Sequence, residues 1–326
     1  MSTSCLLTTK LKVLNTIYNM ILNYLRKIKK ILQSSAIILN KIDLIQQSLG
    51  RIESRQIANT NLGSINESEF KVYSQWGEDG IIQYILNHIS INNKVFVEFG
   101  VEDYTESNTR FLLKNDNWSG LVLDGNKAHI EYIKNDTSVY WAHNLKAEHI
   151  FITKDNINSI LLQNGIPEDL GLLSIDIDGN DYWIWDSINC IKPRIVISEY
   201  NSLFGSSSIV SVPYSDSFVR NSAHFSNIYY GASLGALNFL AKKKGYSLIG
   251  TNMAGNNAFF IRDDLSSNFK VLTVKEAYKS AQFREAKDIH GNLSYLSLNE
   301  QRDLIADFDI IDIESMYYYK IKDLNI

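Results

Sequence analysis

The sequence predicts an α/β protein whose parallel sheet is covered by helices on both faces. Apolar and amphipathic segments alternate along residues 70–262, an order that produces parallel strands joined by crossover helices. Acidic residues directly follow several of the apolar segments, at the sheet edge where open α/β sheets bind their ligands. A short turn separates the last two strand-like segments, which predicts a hairpin and one antiparallel strand.

The elements follow from local patterns, and they divide the chain into three regions. Residues 1–60 are predicted to be an N-terminal helix and linker, 61–264 the α/β domain, and 265–326 a less patterned C-terminal extension. The polar, glycine-broken residues 56–70 are the predicted linker. We predict strands at 95–100, 120–124, 149–153, 172–178, 194–200, 246–251 and 257–262, and helices at 78–87, 109–114, 127–134, 155–163, 181–188 and 233–243.

Apolar residues in the N-terminal region recur at alternating steps of four and three from Leu14 to Leu49, interrupted at Ser35 and Gln46. This is the a/d spacing of a coiled coil, and it continues for about five heptads. A single helix cannot bury such a seam, so we predict that residues 10–55 join copies of the chain into a homo-oligomer. The basic residues 26–30 leave a second interpretation open, a helix that associates with an acidic membrane surface.

The formal net charge of −4 conceals an asymmetry. Residues 1–55 contain nine basic and two acidic side chains, a formal charge of +7, which leaves −11 on the remainder. An acidic body argues against nucleic acid as a partner. Cys5 and Cys190 lie far apart and indicate no disulfide framework, so we predict a reducing, cytoplasmic location. We expect neither a cleavable signal peptide nor an apolar run long enough to span a bilayer.

Glu98 and Gly100 end the first predicted strand, and Asp124 ends the second. In a doubly wound sheet, an acid one βα unit after the first strand holds ribose hydroxyls, and Asp124 falls at that interval. The loop after Gly100 contains Asp103 and Thr105 and lacks a full G-x-G-x-x-G, which counts against a dinucleotide pyrophosphate because that ligand needs close backbone approach. The acidic edge and this loop therefore favour a nucleoside ligand without phosphate over a dinucleotide pyrophosphate, with simple helix capping by these acids as the alternative.

Four motifs carry a resemblance to a known family: Tyr-Ser-Gln-Trp-Gly-Glu-Asp at 73–79, Phe-Val-Glu-Phe-Gly at 96–100, Gly-Leu-Val-Leu-Asp-Gly at 120–125, and Leu-Ser-Ile-Asp-Ile-Asp-Gly-Asn-Asp-Tyr at 173–182. They resemble the class I S-adenosylmethionine-dependent methyltransferases, and among these the FkbM-type group. The resemblance implies a Rossmann-like seven-stranded sheet with a reversed last strand. It also implies S-adenosylmethionine as cofactor, with Glu98 and Gly100 along its methionine, Asp124 on its ribose, and Gln75 and Asp176 beside it.

A second constellation follows the fourth and fifth strands. Asp176 and Asp178 end the fourth strand, and Glu199 and Asn201 follow the fifth, so parallel pairing brings them to one edge. Hard oxygen ligands of this kind suit Mg²⁺. The layout resembles that of metal-dependent O-methyltransferases, in which a cation lowers the pKa of the acceptor hydroxyl. Without a metal, Asp178 or His224 is the candidate catalytic base.

The prediction is an S-adenosylmethionine-dependent O-methyltransferase acting on a hydroxyl of a sugar or glycan precursor, the acceptor being implied by the resemblance alone. Residues 204–230, a long loop rich in aromatic side chains, are the predicted acceptor-binding lid. Asn256 and Asn257 are predicted to line its mouth, with a plain turn as the alternative. Two rival functions stay open: a non-catalytic oligomeric scaffold with a degenerate methyltransferase fold, and a nicotinamide-dependent Rossmann enzyme.

Overall fold

The computed structural model describes residues 3–60 and 62–324, with side chains from residue 14 onward except residue 36. The chain divides into two compact units, Met1–Leu49 and Gly50–Ile326. The helices are α1 Thr3–Ile57, α2 Glu78–His88, α3 Arg110–Asp116, α4 Lys127–Asn135, α5 Ile157–Gln163, α6 Asp181–Ser187, α7 Arg220–Ala223, α8 Leu234–Lys244, α9 Val274–Ala277 and α10 Leu298–Leu304. The strands are β1 Val95–Phe99, β2 Ser119–Asp124, β3 Leu145–His149, β4 Leu172–Ile175, β5 Ile195–Glu199, β6 Val210–Ser211, β7 Tyr246–Thr251, β8 Asn257–Arg262, β9 Asp309–Asp312 and β10 Tyr318–Lys320.

The main sheet has seven strands in the order β3-β2-β1-β4-β5-β8-β7. Strands β1 to β5 pair in parallel, and β8 is antiparallel to both β5 and β7. The sequence-based prediction of a seven-stranded sheet with a reversed last strand is therefore confirmed. Because the sheet order reverses between β1 and β4, the crevice at their carboxyl ends is the expected ligand position of an open α/β sheet.

Helices cover both faces of this sheet, as predicted. Val97 and Phe99 of β1 belong to one apolar core together with residues of α5, α6 and α8. Phe96, on the opposite face because strand side chains alternate, belongs to a second core with residues of α2, α3 and α4. Strands buried on both faces read as continuous apolar runs, which is why β1, β4 and β5 were identifiable from sequence.

The third strand begins earlier than predicted. The sequence indicated residues 149–153, whereas β3 spans Leu145–His149 and pairs with β2. This is an edge strand, and Leu145 and Ala147 are buried while Lys146 is exposed. Such alternation with polar residues gives a weaker signal than a fully buried run.

The predicted linker is more ordered than its composition indicated. Helix α1 continues to Ile57, and a 3₁₀ turn at Ile65–Ser68 begins with the Ser64 hydroxyl accepting a hydrogen bond from the amide of Asn66. Ile65 and Phe70 are buried. Residue 61, which falls within the predicted linker, lies outside the described residues.

The predicted loop 204–230 and the C-terminal extension fold together into a small subdomain. Strand β6 of the loop pairs with β9 of the extension, and β9 pairs with β10, which gives a three-stranded antiparallel sheet. The apolar side chains of Phe204, Val210, Ile305 and Ile310 are buried in their own cluster there. The loop is thus held in place by residues more than eighty positions downstream. The last two residues of the extension are outside the described chain.

Within the N-terminal unit, the described part of α1 is one continuous helix. The seam residues that we identified from Leu14 to Leu49 are 37–66% exposed. A search of the described helices for a stretch long and apolar enough to cross a membrane finds none.

Candidate functional site

The carboxyl end of β1 is organised around the buried carboxylate of Glu98. It accepts hydrogen bonds from the hydroxyl of Ser107 at 2.5 Å, the amide of Asn108 at 2.9 Å and the hydroxyl of Thr109 at 2.5 Å. Burial raises the pKa of Glu98, and these hydrogen bonds oppose the rise. The polar loop after Gly100 is therefore folded back on the strand end by an acid, in place of the glycine-rich turn of a dinucleotide fold.

Gly100 lies against the loop that follows β4. Its φ of +68° is in the left-handed region, and a Cβ at this position would lie 1.6 Å from the carbonyl oxygen of Asp176. Glycine is thus required here by the close approach of two strand ends. The consequence is that Asp176 lies directly beside the end of β1.

Asp124, at the end of β2, holds the two loops on either side of it. Its Oδ2 accepts a hydrogen bond from the amide of Glu102 at 2.9 Å, and its Oδ1 accepts one from the amide of Asn126 at 2.7 Å. The Nδ1 atom of His129 lies 3.2 Å from the same Oδ1. Asp124 is buried but borders a cavity, so its carboxylate combines a structural role with access to a ligand.

The loop after β4 is shaped by Asp181, the first residue of α6. The Asp181 carboxylate accepts hydrogen bonds from the amides of Ile177 and Gly179, both at 2.9 Å. Burial raises the pKa of Asp181 to about 6. Asp178 has a left-handed φ of +57°, a conformation that aspartate tolerates better than most residues. This tight turn brings both Asp176 and Asp178 to the edge of the sheet.

Asp176, Asp178 and Glu199 form a carboxylate cluster at this edge. One oxygen of each lies within 4.8 Å of the others. Burial raises the pKa of both Asp176 and Glu199, and the repulsion between neighbouring carboxylates raises them further. The Oε2 atom of Glu199 is buried and has no hydrogen-bond partner within the described part of the chain. A buried, unpartnered carboxylate oxygen is costly, so this cluster is suited to a cationic or hydrogen-donating ligand.

Arg220 of α7 links the cluster to the C-terminal extension. Its Nη1 donates to Oδ1 of Asp178 at 2.6 Å, its Nη2 donates to Glu285, and its Nε donates to the carbonyl of Asn227 at 2.6 Å. The guanidinium carbon lies 3.5 Å from the ring centre of Tyr230. With three hydrogen bonds and a stacked ring, Arg220 is fixed in place and compensates part of the negative charge.

Two cavities meet at this cluster. The first, of about 410 Å³, is lined by Asp124 together with apolar side chains from the loop after β3. The second, of about 530 Å³, is lined by Glu98, Glu199 and residues of the extension. Both volumes lie in the range of about 300–1,000 Å³ typical of ligand sites. The residues that border both cavities are Gly100, Glu102, Asp176, Asp178, Arg220 and Asn221.

The first sequence motif, residues 73–79, forms part of the wall of the second cavity. Asp79 accepts hydrogen bonds from the amides of residues 72–74, and Glu78 accepts them from the amides of Trp76 and Gly77. These two buried acids thus fold the loop that carries Gln75 and Trp76, which both line the second cavity. Gln75 is therefore at the site, on the same side as Glu98 and not beside Asp124.

Asn201 does not serve the site in the way that the sequence indicated. Its amide nitrogen donates to the carbonyls of Ile228 and Tyr230, both at 3.0 Å, and its oxygen accepts from the amide of Leu203. These bonds fix the start of the loop after β5 to its end. Because Asn201 is buried and borders neither of the two cavities, we propose no metal-binding role for it.

The structure places His224 outside both cavities. Its Nδ1 is 2.6 Å from the hydroxyl of Ser226, and its ring packs against those of Phe225 and Phe308 in the small subdomain. Burial lowers the pKa of His224. A histidine that packs within this subdomain has no contact with a ligand in the cavities, so of the two predicted bases only Asp178 borders them.

Most of the residues that the sequence analysis missed come from the C-terminal extension. Phe283, Arg284, Glu285, Lys287 and Leu293 line the second cavity, although this segment carries no recognisable pattern. Arg220 was assigned to the lid loop, but its partners were not predictable. Trp76 also lines this cavity, and its position inside the motif at 73–79 is the one feature of the sequence that could have identified a missed residue.

No protein-family model matches the chain, and no curated protein matches it in sequence. Solved structures of similar fold include the N-terminal domain of EvdMO1 with SAH bound, at 10% identity and a TM-score of 0.39, covering 65% of this chain and 94% of that one. Another is a putative caffeoyl-CoA O-methyltransferase from Staphylococcus aureus, at 18% identity and a TM-score of 0.37, covering 57% and 82%. A third is an O-methyltransferase from Bacillus cereus in complex with SAH, at 13% identity and a TM-score of 0.32, covering 52% and 72%. Likeness at this level carries no argument about activity, and the fold assignment rests on the strand order itself.

Proposed function

We propose that this chain is an S-adenosylmethionine-dependent O-methyltransferase. The observation that carries the proposal is the meeting of two cavities at Gly100, Asp176 and Asp178, on the ligand-binding edge of the sheet. One cavity suits a nucleoside, because Asp124 borders it where ribose hydroxyls are held in such sheets. The other is open for an acceptor. The strand order is the one that the resemblance to class I methyltransferases implies.

The side chains that line the two cavities fit the proposed cofactor. Asp124 would accept hydrogen bonds from the ribose hydroxyls, and the apolar side chains of Phe151 and Ile152 in the same cavity would cover the base. Gln75 and Glu98 line the second cavity and would meet the methionine end. Gly100 and Asp176 border both cavities. The carboxylates at the junction suit a ligand that carries both a sulfonium and an ammonium.

When bound, S-adenosylmethionine supplies a methyl group to the acceptor hydroxyl from its positively charged sulfur. The chain must orient that hydroxyl and remove its proton. We assign the second task to Asp178, which borders both cavities. Its Oδ1 is engaged by Arg220, which leaves Oδ2 to receive the proton. Replacing Asp178 with Asn should lower the rate about 10²- to 10⁴-fold, the usual contribution of a general base.

A divalent cation is a second component that the site could hold. The oxygens of Asp176, Asp178 and Glu199 are close enough to share an ion, and Oε2 of Glu199 is unpartnered among the described residues. Mg²⁺ is often bound by few carboxylates and several waters. The carboxylate set therefore fits Mg²⁺ without Asn201, and Arg220 would have to share Asp178 with it. A cation here would polarise the acceptor hydroxyl.

Cofactor binding separates the proposal from its rivals. Calorimetric titration with S-adenosylmethionine and with NAD should show heat for S-adenosylmethionine alone. Heat with NAD alone would support a nicotinamide-dependent enzyme, and heat with neither would support a non-catalytic scaffold. The FkbM-type resemblance favours a sugar or glycan hydroxyl as the acceptor, which we keep as part of the proposal.

We further propose that α1 joins copies of the chain through its apolar seam. The support is the heptad spacing between Leu14 and Leu49 and the exposure of these residues in the single chain. The basic residues 26–30 favour contact with an acidic membrane surface as the second candidate role.

A cytoplasmic location, which we predicted from the cysteines, is kept as a prediction. Cys190 is a free thiol in the structure, and the side chain of Cys5 is outside the described set.

A further inference from the structure

The outer wall of the second cavity is a folded part of the C-terminal extension. The amide of Lys287 donates to the carbonyl of Ser226 at 3.0 Å, and Lys287 forms an antiparallel bridge with Leu293. Glu285 is tied to Arg220, which in turn contacts Asp178. These contacts join residues 283–293 to the carboxylate cluster. The wall is thus built into the site and is not a loose surface segment.

An aromatic pair stands at this wall. The rings of Trp76 and Phe283 are stacked, with centroids 5.1 Å apart and planes inclined by 22°. Both line the second cavity, and Trp76 is 39% exposed. A large exposed aromatic surface supplies contact area at a low entropic cost, and it suits the apolar face of a ring compound.

A buried hydrogen-bond acceptor lies deeper in the same cavity. The Nδ2 atom of Asn257 donates to Oε1 of Glu78 at 2.9 Å, while its Oδ1 has no partner in the described chain. Rotating the amide would place an oxygen against the Glu78 carboxylate, so the orientation is set by charge. Asn257 is directly opposite Glu199 in the β5–β8 pairing, and Glu199 has an unpartnered oxygen as well. Two adjacent acceptors without donors call for a ligand rich in hydroxyl groups.

The rim of the wall carries positive charge. Arg284 and Lys287 both line the second cavity, and neither forms an ion pair with any side chain that the structure describes. The guanidinium of Arg284 lies 4.1 Å from the ring centre of Tyr295, which holds it at the rim. Of the acids that line this cavity outside the carboxylate cluster, Glu106 is paired with Lys71 at 3.0 Å and Glu285 with Arg220, while Glu102 also borders the cavity.

From these three features we propose that the second cavity selects a hydroxylated ring that carries an anionic group. The ring would lie on the outer face of the Trp76–Phe283 stack, its hydroxyls would donate to Asn257 and Glu199, and its carboxylate or phosphate would bind Arg284 and Lys287. This inference rests on the proposed function, because it names the acceptor class of the same site. It assigns acceptor selection to the C-terminal extension.

The test uses the full-length protein saturated with S-adenosylhomocysteine and a saccharide array of matched neutral, carboxylated and phosphorylated hexosides. We expect at least about tenfold stronger binding to the anionic hexosides, as hydrogen bonds to charged groups are the stronger ones. The carboxylated and phosphorylated spots distinguish which anion is preferred. Equal binding to all three classes, or binding to none of them, would overturn the inference.

Matched variants assign the preference to residues. Arg284→Gln with Lys287→Gln should abolish the preference for anionic hexosides, whereas Lys242→Gln with Lys243→Gln, the same charge change on α8, should preserve it. Retention of the preference in the first variant would refute the assignment.

Trp76→Ala should weaken the binding of all three classes of hexoside, whereas Trp141→Ala, at a surface residue that is 85% exposed, should not. Unchanged binding in Trp76→Ala would contradict the stacking role. The affinity for S-adenosylhomocysteine, measured by calorimetry, should be unchanged in every variant. If the proposed function itself is wrong, the wild type will bind no cofactor, and this result distinguishes its failure from failure of the present inference.

Discussion

The role of Asp124 gives the sharpest test of the cofactor assignment. Replacing Asp124 with Asn keeps the size of the side chain but converts one carboxylate oxygen into a donor. The two oxygens accept from the amides of Glu102 and Asn126, so one of these amides would then face a second donor. A ribose hydroxyl that used the same oxygen would lose its acceptor. The substitution therefore acts on the ligand and on the cavity wall together.

The magnitude follows from the type of hydrogen bond that is lost. A hydrogen bond to a charged group contributes about 1.5–3 kcal/mol, which corresponds to a change in Kd of about 10- to 150-fold. Because the ribose is common to S-adenosylmethionine and S-adenosylhomocysteine, the Asp124→Asn variant should weaken both by similar factors. Loss of a carboxylate near the sulfur, as in Asp178→Asn, should instead weaken the cationic S-adenosylmethionine more than the neutral product.

Calorimetric titration of both ligands into both variants measures these factors directly. Asp155→Asn is the matched control, because Asp155 is exposed and borders neither cavity. Thermal unfolding of each variant shows whether the fold is retained. Unchanged affinity in a folded Asp124→Asn protein would refute the ribose assignment. A loss confined to S-adenosylmethionine would show that Asp124 faces the sulfur and not the ribose.

Three further predictions concern the metal, the N-terminal helix and pH. Glu199→Gln should abolish Mg²⁺ binding in calorimetry, and full wild-type activity in excess chelator would contradict a metal role. A variant lacking residues 1–49 should have a smaller mass in light scattering, and an unchanged mass would remove the oligomer proposal. Hydrogen bonds from Arg194 and, as a smaller cause, from Arg262 lower the pKa of Asp169 in the folded protein. The ionised Asp169 therefore stabilises the fold above the unfolded pKa of about 3.9, and this stabilisation is lost as pH falls through the lower folded pKa. The free energy of unfolding, measured with urea, should therefore be about 1 kcal/mol lower at pH 3 than at pH 5, a modest loss because solvent partly screens the ion pairs of Asp169. The loss should be absent in Asp169→Asn, and an equal change between the two pH values in both proteins would contradict the prediction.

The sheet was predictable because its central strands are buried on both faces. The apolar run that ends at Glu98 and the one that ends at Asp176 leave few alternatives to buried strands. Their order and the reversed last strand came from the family resemblance and the short turn before β8. The edge strand β3 was misplaced because Lys146 and His149 interrupt its apolar pattern.

The site was only partly predictable, because acids in the same motifs have different tasks. Asp79 and Asp181 each follow a conspicuous pattern, yet both are occupied by backbone amides and serve to shape loops. Asp178, two residues after Asp176, borders the cavities. Sequence spacing placed Asp176 and Asp178 at one edge with Glu199, but it cannot show which carboxylate oxygen remains without a donor.

The extension was unpredictable for a different reason. Glu285 reaches the site only through its contact with Arg220, sixty-five positions away, and this contact leaves no periodic signal in either segment. Its physical effect is nonetheless central. Arg220 pairs with Asp178 and Glu285, whereas burial and the neighbouring carboxylates raise the pKa of both Asp176 and Glu199. Ionising these two acids without a partner is unfavourable, so a cation that enters the junction would favour their ionised forms and bind to them. A pyrophosphate at the junction would gain no such partner, which is why this part of the edge favours a sulfonium nucleoside over a nicotinamide dinucleotide, whereas the anionic group that we propose for the acceptor would lie at the rim with Arg284 and Lys287.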